Sequence, residues 1–178
     1  EISGGLVGSE MCIRDSGGIA SNYTLSGGTH ILTINKSTIS ITGTRQYDGS
    51  TNAQSTVLSL NNLQGGENLT LSGVGTISDK NVANGKTLDV SGLTLGDGSG
   101  GTPGLSSNYK LAGGTHTFNV TKKNITFSGS RVYDGTTTVS SSDLITNDTT
   151  SGENLTFTGN GSVSSANVQN NQAVTKAT

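Results

Sequence analysis

The chain has 178 residues, of which 12% are charged and 29% are hydrophobic, and its formal net charge is -2. This balance excludes the Lys- and Arg-rich surface of a nucleic-acid-binding protein, and no run of about 18 apolar residues is present for membrane insertion. The chain has 27 glycines, one proline, no tryptophan and many Ser, Thr and Asn residues. Such a composition favours short β-strands joined by tight turns.

The N-terminal 16 residues differ from the rest of the chain. Residues 6–16, LVGSEMCIRDS, hold the only methionine and the only cysteine, Met11 and Cys12. One possible coding of residues 6–15, extended by AG, ends in AGATGTGTATAAGAGACAG, which resembles a transposase-type sequencing adapter. We therefore interpret residues 6–16 as translated adapter and residues 1–16 as a non-native head. A reactive thiol at Cys12 would need an electropositive, structured site, and the flanking sequence supplies none.

The remaining sequence repeats with a period of 86 residues. SNYTLSGGTH begins at Ser21 and SNYKLAGGTH at Ser107, while GENLT begins at both Gly66 and Gly152. No insertion or deletion separates the repeated stretches. This pattern indicates tandem duplication of one structural unit.

The period predicts three segments after the head. Residues 17–35 are the closing strands of a truncated repeat, residues 36–121 are a complete repeat, and residues 122–178 are a repeat truncated at its C-terminus. We refer to residues 36–121 as the first repeat and to residues 122–178 as the second repeat. No positively charged start followed by an apolar run is present, so no signal peptide is visible, and we expect the chain to be an internal fragment of a longer protein.

Within the first repeat, apolar residues alternate with polar ones. The alternating apolar pairs are Ile39 and Ile41, Leu58 and Leu60, Leu69 and Leu71, Leu88 and Val90, Leu93 and Leu95, and Phe118 and Val120. Alternation of this kind predicts antiparallel strands with one buried and one solvated face. About seven strands in 86 residues favour an all-β fold of tandem, immunoglobulin-like antiparallel sandwiches. A parallel β-helix would show a shorter period of about 20–30 residues, and none is visible.

A Tyr-Asp-Gly motif follows the first strand of each repeat. The motif residues are Tyr47, Asp48 and Gly49, and Tyr133, Asp134 and Gly135. Asp-Gly predicts a tight turn, with Gly at positive φ and Asp bonded back to the backbone. We expect both tyrosine rings to pack against their own repeat, and the preceding Arg45 and Arg131 to cover apolar surface with their stems.

Other candidate sites are better explained as structural features. GDGSGG at residues 96–101 matches a dinucleotide-binding pattern, but no helix follows to present its N-terminus to phosphate, so a mobile loop is predicted there. His30 and His116 are equivalent by the period, and one histidine per repeat is a poor metal site. We expect both to make hydrogen bonds at strand ends. No nucleophile elbow is present, so the sequence predicts neither an enzyme nor a bound cofactor.

The two Tyr-Asp-Gly motifs and the two GGTH segments together resemble the YDG-type repeat domain, over residues 17–178. Such domains occur in tandem in large secreted bacterial adhesins similar to filamentous haemagglutinin. The resemblance implies a secreted or cell-surface location, with neighbouring repeats as partners and a host surface protein or glycan as a further one. It supplies no catalytic residue.

Two functions follow as hypotheses. The repeats are the stalk of an adhesin, which displays a binding region away from the cell, or they are a glycan- or protein-binding module. Sugar-binding sandwiches generally stack aromatic rings on the sugar, and aromatic residues make up only 4% of this chain. The stalk is therefore the preferred hypothesis.

Overall fold

The computed structural model describes residues 17–24, 26–150 and 152–176. Residues 6–16 lie outside these ranges, so the adapter interpretation remains a prediction. The chain divides into two compact units, Glu1–Asn35 and Lys36–Thr178. Each unit is described by itself.

Regular structure in the described residues consists of strands and four single-turn 3-10 helices, which confirms the all-β prediction. The strands are β1 (Ser37–Thr38), β2 (Ser40–Gln46), β3 (Asn52–Gln54), β4 (Leu58–Asn61), β5 (Thr70–Ile77), β6 (Ala83–Asp89), β7 (Leu93–Gly96), β8 (Tyr109–Lys110), β9 (His116–Thr121), β10 (Thr126–Gly129), β11 (Thr138–Ser140), β12 (Leu144–Asn147), β13 (Asn160–Ser162) and β14 (Thr175–Lys176). The 3-10 helices are Ala20–Asn22, Ser55–Val57, Ser106–Asn108 and Ser141–Asp143. No described helix is long and apolar enough to cross a membrane.

In the first repeat, most strands belong to one seven-stranded sheet. Its order is β3-β5-β6-β9-β2-β4, and β7 pairs with β5 beside this path. Strand β9 therefore lies between β6 and β2 and joins the two halves of the sheet. The prediction of purely antiparallel strands is wrong for this part, because β9 runs parallel to β2 over six residue pairs, and β8 runs parallel to β1. The two strands at the start of the repeat, β1 and β2, thus pair in parallel with the two at its end, β8 and β9.

Six of the alternating apolar residues lie in the core of the first repeat, as predicted, and three further core residues lie outside the predicted pairs. The nine buried members of the core are Ile39, Ile41, Ala53, Ile77, Leu88, Leu93, Tyr109, Phe118 and Val120. Phe118 on β9 is 0% exposed and is among the largest fully buried side chains in the described residues. Gly43 on β2 leaves the room that this ring needs, since a Cβ at Gly43 would lie 2.6 Å from Phe118 Cε2.

The second repeat forms the same strand pairs, displaced by 86 residues. Thr126 pairs with Asn147 as Ser40 pairs with Asn61, and the β11–β13 ladder likewise matches the β3–β5 ladder. These strands remain in two separate sheets, β10-β12 and β11-β13-β14. The positions equivalent to β9 are 202–207, beyond Thr178, so the strand that joins the halves in the first repeat has no counterpart among the described residues.

Candidate functional site

The Asp48 turn is closed by an arginine as well as by its own backbone. The Ser50 N–H donates to Asp48 Oδ1 at 2.9 Å, and Gly49 adopts φ 77°. The Arg45 guanidinium donates to Asp48 Oδ2 and to the Ser50 carbonyl, and it lies 5.8 Å from the Phe118 ring centroid. Arg45 therefore ties the turn to the core of the first repeat.

The Asp134 turn of the second repeat has the same internal bonds. The Thr136 N–H donates to Asp134 Oδ1 at 2.9 Å, Arg131 Nη1 donates to Asp134 Oδ2 at 2.8 Å, and Gly135 adopts φ 78°. The Thr136 N–H, helped by the charge of Arg131, holds the pKa of Asp134 below its usual value. The two arginines therefore close the turns through hydrogen bonds of their guanidinium groups, in addition to the apolar contacts predicted for the stems of their side chains. An Arg three residues before the Asp in both repeats was the sequence signal for this bond.

The ring of Tyr47 packs against the core of the first repeat, while its hydroxyl faces the second repeat. That hydroxyl donates to Glu153 Oε1, and Lys80 Nζ donates to the same oxygen at 2.6 Å. Lys80 Nζ also lies 5.9 Å from the centroid of the Tyr47 ring. We call this group of three residues, Tyr47, Lys80 and Glu153, the Glu153 junction. Tyr47 and Glu153 are 106 positions apart, and Lys80 and Glu153 are 73 apart. The junction links the Tyr-Asp-Gly turn of one repeat to the GENLT segment of the next.

The electrostatics of the junction are mutually stabilising. Two hydrogen bonds hold the pKa of Glu153 below its ordinary value of 4.5. The bond from Lys80 has the larger effect and the bond from Tyr47 the smaller. The carboxylate in turn raises the pKa of Lys80 above its ordinary value of 10.5. Both groups are therefore charged over a broad range around neutral pH.

Steric contact accompanies the polar contact. A Cβ placed on Gly49 would lie 2.5 Å from Thr150 Cγ2 of the second repeat. A side chain at position 49 would therefore require Thr150 of the second repeat to move. Gly49 meets two demands at once, the positive φ of the turn and this close approach.

The equivalent glutamate of the first repeat also accepts a hydrogen bond from a tyrosine. Tyr109 donates its hydroxyl to Glu67 Oε2 at 2.6 Å, and this bond raises the pKa of Tyr109. Glu67 thus binds a tyrosine of its own repeat, whereas Glu153 binds a tyrosine of the preceding repeat. One glutamate position therefore serves both internal closure and the contact between repeats.

Comparison with known proteins places these segments in a family. The YDG domain model matches residues 32–118 and again residues 119–178. This chain belongs to the YDG domain family. No curated protein gives a significant match, and no solved structure does so either.

The two YDG motifs differ in the surroundings of their tyrosines. Tyr133 is 62% exposed, so the prediction that both rings pack against their own repeat is wrong for the second one. In the first YDG segment the Tyr47 N–H donates to the Thr121 carbonyl at the end of β9, and Lys80 covers the ring. Position 166, equivalent to Lys80, is Ala166, so Tyr133 lacks the lysine that covers the Tyr47 ring.

His116 lies at the start of β9. His116 Nε2 donates to the Leu111 carbonyl at 2.9 Å, and Nδ1 accepts from the Ile41 N–H at 3.2 Å, which confirms the strand-end role predicted for it. Within the described ranges, no group of three or more His, Cys, Asp or Glu residues is placed to hold a metal.

The GDGSGG segment is a loop held by its neighbours, which corrects the prediction that it is mobile. Asn68 Nδ2 donates to the Gly100 carbonyl at 3.0 Å, and the Ser99 N–H donates to Asn68 Oδ1 at 2.9 Å. Asp97 Oδ1 accepts from the Ser106 N–H at 2.8 Å.

We expect Tyr47→Ala to lower the free energy of unfolding by about 2–4 kcal/mol, in the range of large-to-small changes in a core. Tyr133→Ala is the matched control in the same motif, and its exposed ring should cost no more than about 0.5 kcal/mol. Urea unfolding of the two variants checks this. Equal losses would contradict the packing role of Tyr47.

The pH dependence of the Glu153 junction follows from its two shifted groups. Because the pKa of Glu153 is lowered on folding, its stabilisation is present above the unfolded value near 4.5 and is lost as pH falls through the folded value. Because the pKa of Lys80 is raised, its contribution is present below the unfolded value near 10.5 and is lost as pH rises through the folded value. We expect the stability difference between wild type and Glu153→Gln to be constant near neutral pH and to shrink in acid. A difference that does not change down to about pH 2, well below the usual range of a carboxyl group, would contradict this.

Proposed function

We propose that residues 36–178 are tandem, immunoglobulin-like sandwich repeats that serve as a spacer in a secreted or cell-surface bacterial adhesin similar to filamentous haemagglutinin. In this role they display a binding region away from the cell and have no enzymatic activity. The observation that carries the proposal is the Glu153 junction, in which Tyr47 and Lys80 of one repeat bind a carboxylate of the next.

A spacer needs a fixed angle between successive units. Domains joined by a chain usually move relative to one another unless their interface holds them. Here Thr121 ends β9 of the first repeat and Lys122 begins the second, with no Gly- or Pro-rich linker between them. Two hydrogen bonds to one carboxylate and the close approach of Gly49 to Thr150 supply contacts that restrain such motion.

The surface also suits a spacer. The chain is only 12% charged, and the buried core of the first repeat consists of residues of that repeat. Ser, Thr and Asn side chains on the solvated faces form local bonds, such as Asn61 Nδ2 to Thr42 Oγ1 at 3.1 Å. A surface of this kind stays hydrated and offers few strong contacts to other macromolecules.

The test measures the distance between the repeats. Spin labels are attached at Ser59→Cys and Ile145→Cys, which are exposed and equivalent by the period, in a chain that carries Cys12→Ser. We expect one narrow distance distribution, which broadens when Tyr47→Phe and Glu153→Gln are added. Glu67→Gln is the matched control, because it removes the equivalent carboxylate outside the junction and should leave the distribution narrow. A broad distribution in the parent chain would contradict the spacer role.

The alternative is a glycan- or protein-binding module. Its supporting observation is that Tyr133 and Phe127 are exposed beside one groove of the second repeat, where aromatic rings could stack on a ligand. A glycan array probed with the chain and with Tyr133→Ala distinguishes the two functions. Binding that is lost in the variant supports the module, and an array without binding supports the spacer.

A further inference from the structure

A bulge in β6 places an Asn-Gly pair on the surface of the first repeat. Strand β6 pairs with β9 at Ala83 and then, after a register shift, at Lys86. Asn84 and Gly85 lie within this shift, so neither has a partner in the ladder between β6 and β9. Both residues are exposed. The Asn-Gly peptide is therefore held less closely than the rest of β6.

An exposed Asn-Gly pair has the groups needed for its own covalent modification. Attack of the Gly85 nitrogen on Cγ of the Asn84 side chain forms a cyclic succinimide and breaks the bond from Cγ to the amide nitrogen. That nitrogen leaves as ammonia and takes the proton of the Gly85 N–H. Water then opens the ring at either carbonyl and gives aspartate or isoaspartate. Glycine obstructs the ring least because it has no side chain, and a Cβ built on Gly85 would meet no heavy atom beyond its chain neighbours within 4 Å.

One hydrogen bond to a side chain restrains the attacking nitrogen. The Gly85 N–H donates to Asn119 Oδ1 on β9 at 2.8 Å. Asn119 is in turn oriented by β2, because its Nδ2 donates to Thr44 Oγ1 at 3.4 Å. Attack on Asn84 requires the Gly85 nitrogen to lose its proton and to leave Asn119. The Asn119 side chain therefore determines how often this nitrogen is free to react.

We propose that Asn84 is a site of spontaneous deamidation and that the Asn119 side chain controls its rate. The product replaces a neutral amide by a carboxylate and so adds one negative charge to a chain whose net charge is -2. Isoaspartate also inserts a methylene into the main chain of β6. This change falls where β6 meets β9, the strand that joins the two halves of the sheet, and it loosens that pairing as the protein ages. The inference does not rest on the spacer role.

A second Asn-Gly pair of the chain lies in a different setting. Asn160 and Gly161 belong to β13, the middle strand of a three-stranded sheet. Gly161 pairs with Val139 on one side and with Lys176 on the other, and a Cβ built on it would lie 2.8 Å from Val174 Cγ1. Ring closure at this pair requires the ladders on both sides to open. The same dipeptide should therefore react at two different rates, and the fold is the cause of the difference.

The first test compares the two pairs within the full chain. The chain is kept at mildly alkaline pH, and peptide mapping by tandem mass spectrometry follows the conversion of each asparagine, with an isoaspartyl methyltransferase assay for isoaspartate. In the folded chain we expect Asn84 to deamidate about tenfold faster than Asn160, because only the latter requires local opening of paired strands. In urea the two rates should become similar. Equal rates in the folded chain, or a faster rate at Asn160, would overturn the proposal.

The second test removes the restraint on the Gly85 nitrogen. Asn119→Ala should raise the rate at Asn84 by about two- to tenfold, the factor that corresponds to the loss of one hydrogen bond, and leave the rate at Asn160 unchanged. Asn119→Asp keeps an oxygen acceptor and should stay close to the parent rate.

Asn61→Ala is the matched control, because it removes an asparagine side chain that bonds to Thr42 Oγ1 at 3.1 Å and not to the bulge. Its rate at Asn84 should equal that of the parent chain. An unchanged rate at Asn84 in Asn119→Ala would overturn the controlling role of Asn119. An equal rise at Asn160 in that variant would also overturn it, since the cause would then be a general loosening of the chain.

Discussion

Phe118→Ala should lower the free energy of unfolding of the first repeat by about 3–5 kcal/mol, the range measured for loss of a buried aromatic ring. The ring is fully buried and lies on β9, the strand that joins the two halves of the seven-stranded sheet. Gly43 has no side chain that could move into the cavity left behind. The Arg45 guanidinium would also lose the ring beside it. This site can therefore relax little, which places the cost in the upper part of the range.

Urea unfolding and hydrogen exchange of the β2 and β6 amides measure this cost. Phe127→Ala is the matched control, because the same ring is removed from a position that is 39% exposed, and we expect it to cost about 1 kcal/mol, near the average for a point mutation. In the Phe118 variant, exchange should accelerate on both sides of β9 together. A loss of less than about 1 kcal/mol, or faster exchange in β2 alone, would contradict the joining role of β9.

The sequence was sufficient to predict the all-β class and six of the nine core residues, but not the full strand pairing. Alternation at Ile39 and Ile41, or at Phe118 and Val120, follows directly from the burial of one face. The parallel pairing of β2 with β9 could not be inferred in this way, because the period along a strand is two in both kinds of sheet. The parallel pairing depends on contacts between the two ends of the repeat, such as that of Ile41 with His116, which are 75 residues apart in the sequence.

The Glu153 junction was also beyond the reach of the sequence. Internal repetition reveals only the residues that the two repeats share. Lys80 is not shared, because the equivalent residue of the second repeat is Ala166. Tyr47 and Tyr133 share the Arg, Asp and Gly of their motifs but have different neighbours in space. The spatial neighbours of Tyr47 come from β9 and from the second repeat, and a local motif carries no information about either.

One link in the fold is conserved in place but not in chemistry. In the first repeat the hairpin before β6 is closed by Lys86 Nζ, which donates to Asp79 Oδ1 at 2.7 Å and lowers the pKa of that carboxyl. In the second repeat the equivalent pair is Gln172 and Ser165, and the Ser165 N–H donates to Gln172 Oε1 at 3.2 Å. An ion pair and a neutral amide bond thus hold the same hairpin. Comparison of the two repeats by residue type alone would miss this equivalence.

Expressed alone, residues 36–121 should unfold in one cooperative transition, whereas residues 122–178 should not. The first segment contains β1–β9 and the whole buried cluster. The second contains two small sheets that no described strand joins, and its groove exposes Phe127. A domain of 86 residues has only about 5–10 kcal/mol of net stability by per-residue scaling, and the strands missing from the second segment should exhaust that margin.

Residues 36–92 supply the matched control, because they end at the position equivalent to Thr178 and have the same length as residues 122–178. We expect them to lose the cooperative transition as well, since they lack β7, β8 and β9 while keeping the native sequence of the first repeat. Circular dichroism during urea unfolding distinguishes the three segments. Cooperative unfolding of residues 36–92 would show that β9 is dispensable, and the instability of residues 122–178 would then have to arise from its own substitutions, such as Ala166 in place of Lys80. If both short segments fail while residues 36–121 unfold cooperatively, stability depends on the strands from β7 to β9, among which β9 joins the halves of the sheet.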